Sequence, residues 1–404
     1  MSQISNIKAR PILDSRGNWT IEVEVALKNG VRTTASVPQG KSTGANEVEI
    51  VSAARAIKNI EKFILPKLKG KNILHERELD ELMTRLDGTP NKRRLGGNAI
   101  LGVSMACVKA AAEASGVPLW KRVRELSGLA VKQTQSGVIY PRLFINVVNG
   151  GLHAGNNLDF QEYLVIPKAR TFRESIFIGT QVYHALGKYL SRVQGKAAAN
   201  VGDEGGYAPN FKDNLEPFGI LRRVVKSLRL KNRVDFGLDS AANGIKIPNK
   251  KLFDLYRRLA RDPQFIYIED PFDEEDFLEF SALKATIGEK IMIAGDDLTT
   301  TSVSRMEKAH AEGSVNAVII KPNQIGTVSE ALGAVRLARK YEWSVVVSHR
   351  SGETNDDFIA DFAYGVGADG LKLGAPARGE RIAKYNRLLE IERTGPPYCI
   401  TFQM

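Results

Sequence analysis

Cysteine is nearly missing. The 404 residues contain two, Cys107 and Cys399, too few for a disulfide framework or a cysteine-ligated zinc. Cys107 falls in an apolar helical run, Ile100–Ala114, and is expected in the core. Long apolar runs are missing as well. No stretch reaches the roughly 18 residues of a membrane span, and Met1 to Arg10 has no signal core. A cytoplasmic protein with no membrane partner is expected, its function indifferent to redox state. A short-period repeat and low-complexity tracts are also missing, which excludes a repeat architecture. Acidic excess is missing too: 57 basic against 46 acidic side chains leave a net charge of +11. The charge is scattered. Its densest run holds Arg222, Arg223, Lys226, Arg229, Lys231 and Arg233 around Leu221, Val224, Val225 and Leu228. That spacing is a solvated helix face. No aromatic side chains are interleaved for stacking on bases, so nucleic acid is not an expected partner. Positive charge does suit an anionic small-molecule substrate.

What the chain has is a series of apolar runs leading into polar residues. Val234–Asp239, Phe265–Asp270, Ile291–Asp297, Ala317–Lys321, Ser344–Arg350 and Gly370–Lys372 bring Asp239, Glu269, Asp296, Lys321, His349 and Lys372. The gaps between these six residues are 30, 27, 25, 28 and 23. One β/α unit of a (β/α)₈ barrel takes about 30 residues, and the strands' C-terminal ends form one rim that carries the active site. Three carboxylates, two lysines and a histidine therefore converge on one mouth.

Ahead of the barrel the pattern differs. Thr20 to Val25 alternate, Lys28-Asn29-Gly30 makes a hairpin turn, and Val31–Val37 returns. Helical periodicity runs over Ala45–Lys67, Glu76–Leu86 and Asn98–Ala114. The fold class is α/β: a smaller N-terminal α+β domain, 1–133, caps a TIM-type barrel, 134–404, with a linker at Ser127–Gly137.

Asp239, Glu269 and Asp296 offer hard oxygen ligands without histidine or thiol, which suits Mg²⁺ or Mn²⁺ rather than zinc. Lys321 follows the run Ala317–Ile320. As a base it needs a pKa well below the ordinary value of about 10.4, and cations and Lys372 would push it down. Metal plus lysine is the apparatus for taking a proton next to a carboxylate. Gly202-Asp203-Glu204-Gly205-Gly206 sets acids on a glycine-rich turn, and Gly150 to Gly155 sets His153 on another. Ser348 to Glu353 offers a phosphate cradle. Ala35 to Ser42 lacks the first glycine of a P-loop. Gly365 to Gly370 spells a dinucleotide fingerprint but precedes a strand, so it is a helix-to-strand turn.

In this order and spacing the chain resembles enolases, of the archaeal kind, along nearly its whole length. The matching motifs include Asp14 to Asn18, Ser42-Thr43-Gly44, Leu86 to Thr89 and Asn98 to Ser104. They continue with His153 to Gly155, Gln161-Glu162, Asn200 to Gly206, Ile268 to Phe272, Asp296 to Thr299, Asn323 to Thr327, Ser348 to Thr354 and Gly374 to Arg378. The resemblance implies reversible dehydration of 2-phosphoglycerate to phosphoenolpyruvate, in glycolysis and gluconeogenesis, with two Mg²⁺ per site. It implies Lys321 as the base at C2, and Glu204 as the acid at the C3 hydroxyl, assisted by Glu162. It implies Asp239, Glu269 and Asp296 as ligands of the first metal and Ser42 as a ligand of the second. Arg350 and Ser351 match phosphate contacts and Lys372 a carboxylate contact. His153, Gln161 and His349 match further substrate contacts, joined by Glu162, Glu269 and Asp296. The family also implies a homodimer or octamer, and a barrel that departs from strict alternation near its start.

The chain departs from the family in its mobile loop. Enolases usually read Ser-Gly-Ala-Ser-Thr-Gly; here the loop reads Gln39-Gly40-Lys41-Ser42-Thr43-Gly44. Lys41 is expected to contact the phosphate or to compete with the second metal. One rival, an acid-sugar dehydratase or racemase, usually carries a Lys-x-Lys pair where Gln161-Glu162 stand. Another is an enolase-like paralogue with an altered substrate or a non-catalytic binding role. Retention of Glu204, Lys321 and the three metal carboxylates argues against it.

Overall fold

The computed structural model describes residues 2–41, 44, 46–129, 133–134, 137–138 and 140–394. Ser42, much of the expected linker and Cys399 lie outside the described residues.

An antiparallel meander comes first: β1 (Ile4–Leu13), β2 (Trp19–Leu27) and β3 (Arg32–Ser36). The turn between β2 and β3 has Gly30 at φ +93, where glycine is favoured. β1 is absent from the sequence reading. Only Ile4 and Ile7 of its ten residues are buried, too sparse for a readable alternation. The helix expected from Ala45 begins instead at Ala53. Tertiary contacts override the periodicity there. Val48 N–H donates to Gln324 O at 3.0 Å and Glu49 N–H to Asn91 O at 2.7 Å. Helices Glu76–Asp87 and Gly97–Ala114 match expectation to within a residue, and Leu119–Ser127 is an additional one. Gly97–Ala114 is buried along most of its length, packed on β2 and β3, with Cys107 in the core. A Cβ at Gly102 would lie 2.6 Å from Val23 Cγ2, so glycine sets the closeness of helix to sheet.

A short ladder, β4 (Gln133–Thr134) with β5 (Gly137–Val138), precedes the barrel. Eight strands close it: β6 (Arg142–Asn149), β7 (Glu162–Pro167), β8 (Val234–Asp239), β9 (Phe265–Glu269), β10 (Met292–Gly295), β11 (Ala317–Ile320), β12 (Ser344–Ser348) and β13 (Gly370–Lys372). The six apolar runs are β8 to β13. The fingerprint-like Gly365–Gly370 joins the helix Phe358–Gly365 to β13, a helix-to-strand turn as expected.

β7 alone is antiparallel to both neighbours. An antiparallel pair needs no crossover, so β6 turns straight back into β7. Two helices, Phe172–Gln194 and Glu216–Ser227, then precede β8. This is the departure from alternation that the resemblance implies, and it matters for chemistry. β7 begins at the rim where the parallel strands end, so its first residue, Glu162, pairs in register with Asp239 and Asn149. Phe144, Leu164, Ile166, Tyr267, Ile319 and Val346 fill the barrel interior, which leaves the mouth for polar groups. Among the described residues no single helix is long and apolar enough to cross a membrane.

Candidate active site

The expected residues do converge. One cavity at the mouth is lined by His153, Gln161, Glu162, Glu204, Asp239, Asp296, Lys321, His349, Arg350 and Ser351, and also by Gly40, Ala241, Asp270 and Asp297. Glu269 and Lys372 stand beneath it, buried. Most of the charged groups sit at or next to a strand end, because the strands themselves are apolar and buried on both faces, whereas His153 and Glu204 come from loops.

Lys372 Nζ donates to Glu269 Oε2 at 2.7 Å and Asp239 Oδ2 at 3.0 Å, and lies 3.2 Å from Glu162 Oε1. Burial opposes its charge, but Asp239, Glu162 and Glu269 together hold the ammonium well above its usual range. Burial, then the charge of Asp239, pushes Glu269 up to about 8. Tyr267 donates to Glu269 Oε2 at 2.6 Å.

Lys321 makes a short ion pair with Asp296 Oδ2. Burial would lower its pKa, and Arg350 and Lys372 push the same way, but Asp296 prevails and the pKa is raised. Lys372 thus acts in the expected direction, and the lowering expected of Lys321 would need the bound cations as well. A closed hydrogen-bond circuit fixes the pair. Gln324 Nε2 donates to Asp296 Oδ1 at 2.8 Å. Thr301 Oγ1 donates to Gln324 Oε1 at 2.7 Å and accepts from Lys321 N–H at 3.0 Å. Thr301 and Thr300 have φ of 54 and 45, strained for β-branched residues, and the circuit holds that turn.

On the other side, oxygen atoms of Glu162 and Glu204 lie within 4.8 Å of each other and of a His153 nitrogen. Burial, then the charge of Glu204, raises Glu162 well above the carboxylate range. Burial also opposes ionisation of Glu204, but His153, His349 and Arg381 outweigh it and hold that carboxyl well below. Their environments thus push the two carboxyls apart, Glu162 toward its protonated form and Glu204 toward its ionised form. Asn146 Nδ2 donates to Glu204 Oε2 at 2.9 Å. Arg381 Nη1 lies 2.6 Å from His349 Nδ1 and can only donate, so the imidazole proton is on Nε2, facing Glu204 at 3.6 Å. Burial drives His349 well below its usual pKa, against the pull of the Glu204 charge.

The sequence reading gives no role to Asp270 and Asp297, whose oxygens lie within 4.8 Å of each other and of an Asp296 oxygen. Asp270 accepts the N–H groups of Asp296 and Asp297 at 2.9 and 2.7 Å. Burial, then the charge of Asp296, pushes Asp297 up to about 7. Glu47 was missed as well. It grips Arg350 through both oxygens at 2.9 and 3.1 Å. Gln161 Nε2 donates to Asp239 Oδ2 at 3.4 Å, and Ser351 Oγ accepts from Lys41 N–H at 2.7 Å. The Lys41 ammonium is turned to Leu152 O and to Asp203 Oδ2, 3.1 Å away.

Two observations bear on a metal. The acidic donors are all oxygen, and Glu269 Oε1, of the expected ligand set, is buried without a hydrogen-bond partner. Both fit a hard divalent cation.

Models of two known domains match the chain: "Enolase, N-terminal domain" over residues 4–123, and "Enolase, C-terminal TIM barrel domain" over 137–246 and 243–395. The chain belongs to the enolase family. It is 42% identical to the enolase of Methanopyrus kandleri, over 97% of this chain and 96% of that protein. The enolase of Methanocaldococcus jannaschii is 42% identical over 97% and 95%, and that of Solanum lycopersicum 41% over 97% and 95%. Enolase function follows, that of a phosphopyruvate hydratase, a hydro-lyase.

Proposed function

We propose that this mouth dehydrates 2-phosphoglycerate to phosphoenolpyruvate with Lys321 as base and Glu204, assisted by Glu162, at the departing hydroxyl. The observation that carries the reading is the barrel order β10-β11-β12-β13-β6-β7-β8-β9. Lys321 follows β11 and Glu162 opens β7, four strands away, so base and acid come from opposite sides of one cavity. A proton and a hydroxyl on adjacent carbons then leave from opposite faces.

Lys321 takes the C2 proton in its neutral form, which Arg350 and Lys372 favour and Asp296 opposes. A proton carried by the Glu162–Glu204 pair, with Glu162 the member pushed toward its protonated form, passes to the C3 hydroxyl, which leaves as water. Arg350 and Ser351 receive the phosphate, and Lys372 faces the carboxylate. His153, Gln161 and His349 complete the substrate contacts. Two Mg²⁺ belong to the reading: Asp239, Glu269 and Asp296 would hold one and Ser42 the other, and they would supply positive charge where the carboxylate gains negative charge.

The reading divides the chain at 133/134, which the matched spans ending at 123 and resuming at 137 support. It takes the protein as a cytoplasmic homo-oligomer, dimer or octamer, acting in glycolysis and gluconeogenesis. Ultraviolet absorbance of phosphoenolpyruvate tests the chemistry. Turnover with Mg²⁺ that ceases with chelator and in Lys321→Ala is the expected result. Mg²⁺-independent turnover, or an active Lys321→Ala, would overturn it.

A further inference from the structure

The segment after β3 does not lie free over the mouth. Gln39 and Gly352 exchange two backbone hydrogen bonds, at 2.8 and 2.9 Å. A Cβ at Gly352 would lie 2.6 Å from both Gln39 O and Asp14 Oδ2, so only glycine admits this approach. The bridge delivers Lys41 to a junction of three loops. Its N–H reaches Ser351 Oγ, and its ammonium reaches Leu152 O and the Asp203 carboxylate. Leu152 precedes His153 and Asp203 precedes Glu204. Asp203 N–H also donates to His153 O at 3.1 Å, and Arg381 holds Asp203 O at 3.3 Å. Arg16 stands 3.7 Å from the same Asp203 carboxylate, too far for a hydrogen bond.

We propose that Lys41 is a positioning residue: its ammonium clasps the His153 turn to the Glu204 turn and so sets where the Glu204 carboxyl stands. In this arrangement the ammonium is engaged by Leu152 O and Asp203 rather than offered to a phosphate or a cation. The inference rests on the proposed roles of Glu204 and His153. In most enolases alanine stands at this place in the loop, so the clasp is a property of this chain and not of the family's reaction.

The test compares Lys41→Met with Lys41→Arg and Asp203→Asn. Displacement of a catalytic group by up to about 1 Å can cost up to roughly 100-fold in rate. Lys41→Met should therefore lose kcat within that range, with KM for 2-phosphoglycerate and half-saturating Mg²⁺ within roughly twofold of wild type. Lys41→Arg should restore kcat, and Asp203→Asn should add little to Lys41→Met. A raised KM or a shifted Mg²⁺ dependence at constant kcat would overturn the clasp in favour of a phosphate or metal contact. Hydrogen exchange on the protein alone gives a readout that needs no turnover. Peptides covering 150–155 and 200–206 should exchange faster in Lys41→Met but not in Lys41→Arg, and unchanged exchange would overturn the clasp. A wild-type protein without turnover would overturn the proposed reaction, and exchange would then decide the clasp by itself.

Discussion

At the scale of the residue, the site's charges are legible in the sequence and their partners are not. Asp239, Glu269, Asp296, Lys321 and Lys372 stand out because a buried strand has no structural reason to lead into charge. Gln324, Glu47 and Arg381 do not stand out. They gain their roles from contacts 28, 303 and 32 residues away along the chain, which no local pattern encodes. Gln324 shows what such a residue does. Removing the amide in Gln324→Met frees Asp296 Oδ1 and leaves Thr301 without its acceptor. Loss of a supporting hydrogen bond of this sort costs roughly 10- to 100-fold in activity. The unfolding free energy should fall by only about 1–3 kcal/mol. Steady-state kinetics beside urea unfolding checks both, and full activity in a folded Gln324→Met would remove the circuit from the account.

At the scale of the element, the barrel strands read well because they are continuous apolar runs between loops. β1 and the start of the first helix read poorly because packing between distant segments, not periodicity, decides them. The seam between meander and barrel is where such contacts gather. Asp356, just before the helix Phe358–Gly365, accepts from Lys109 of the helix Gly97–Ala114 at 2.8 Å and from Ser36 N–H of β3 at 2.9 Å. Burial would raise its pKa, but Lys109 prevails and holds the carboxyl below its usual range. The folded pKa lies below the unfolded value of about 3.9, so its stabilisation is full above that value and lost as pH falls through the folded one. The stability gap between wild type and Asp356→Asn should thus be widest above about pH 5 and close under acid. Asp80, at the same seam, accepts from Ser329 N–H at 3.0 Å. It has the opposite sign. Burial raises its pKa to about 6, so its contribution is greatest below the unfolded value and is lost as pH rises through about 6. Asp80→Asn should therefore gain stability relative to wild type across that rise. Urea unfolding at several pH values checks both, and parallel pH profiles for the two variants would contradict the assignment.

At the scale of the whole molecule, one reversed strand organises the chemistry. Seven strands deliver their last residues to the rim, and β7 delivers its first, which puts Glu162 opposite Lys321. No periodicity reveals that reversal: the run Tyr163–Pro167 reads the same in either direction, and only resemblance to enolases points to it. The central claim is that the two sides of the mouth do separate work on one substrate. Exchange of the C2 hydrogen of 2-phosphoglycerate with deuterium oxide, followed by NMR, tests it most directly. Glu204→Gln should lose dehydration yet still exchange the C2 hydrogen, because Lys321 is intact across the barrel. Lys321→Ala should lose both. Exchange that survives in Lys321→Ala, or that vanishes in a folded Glu204→Gln, would contradict the division of labour between β11 and β7.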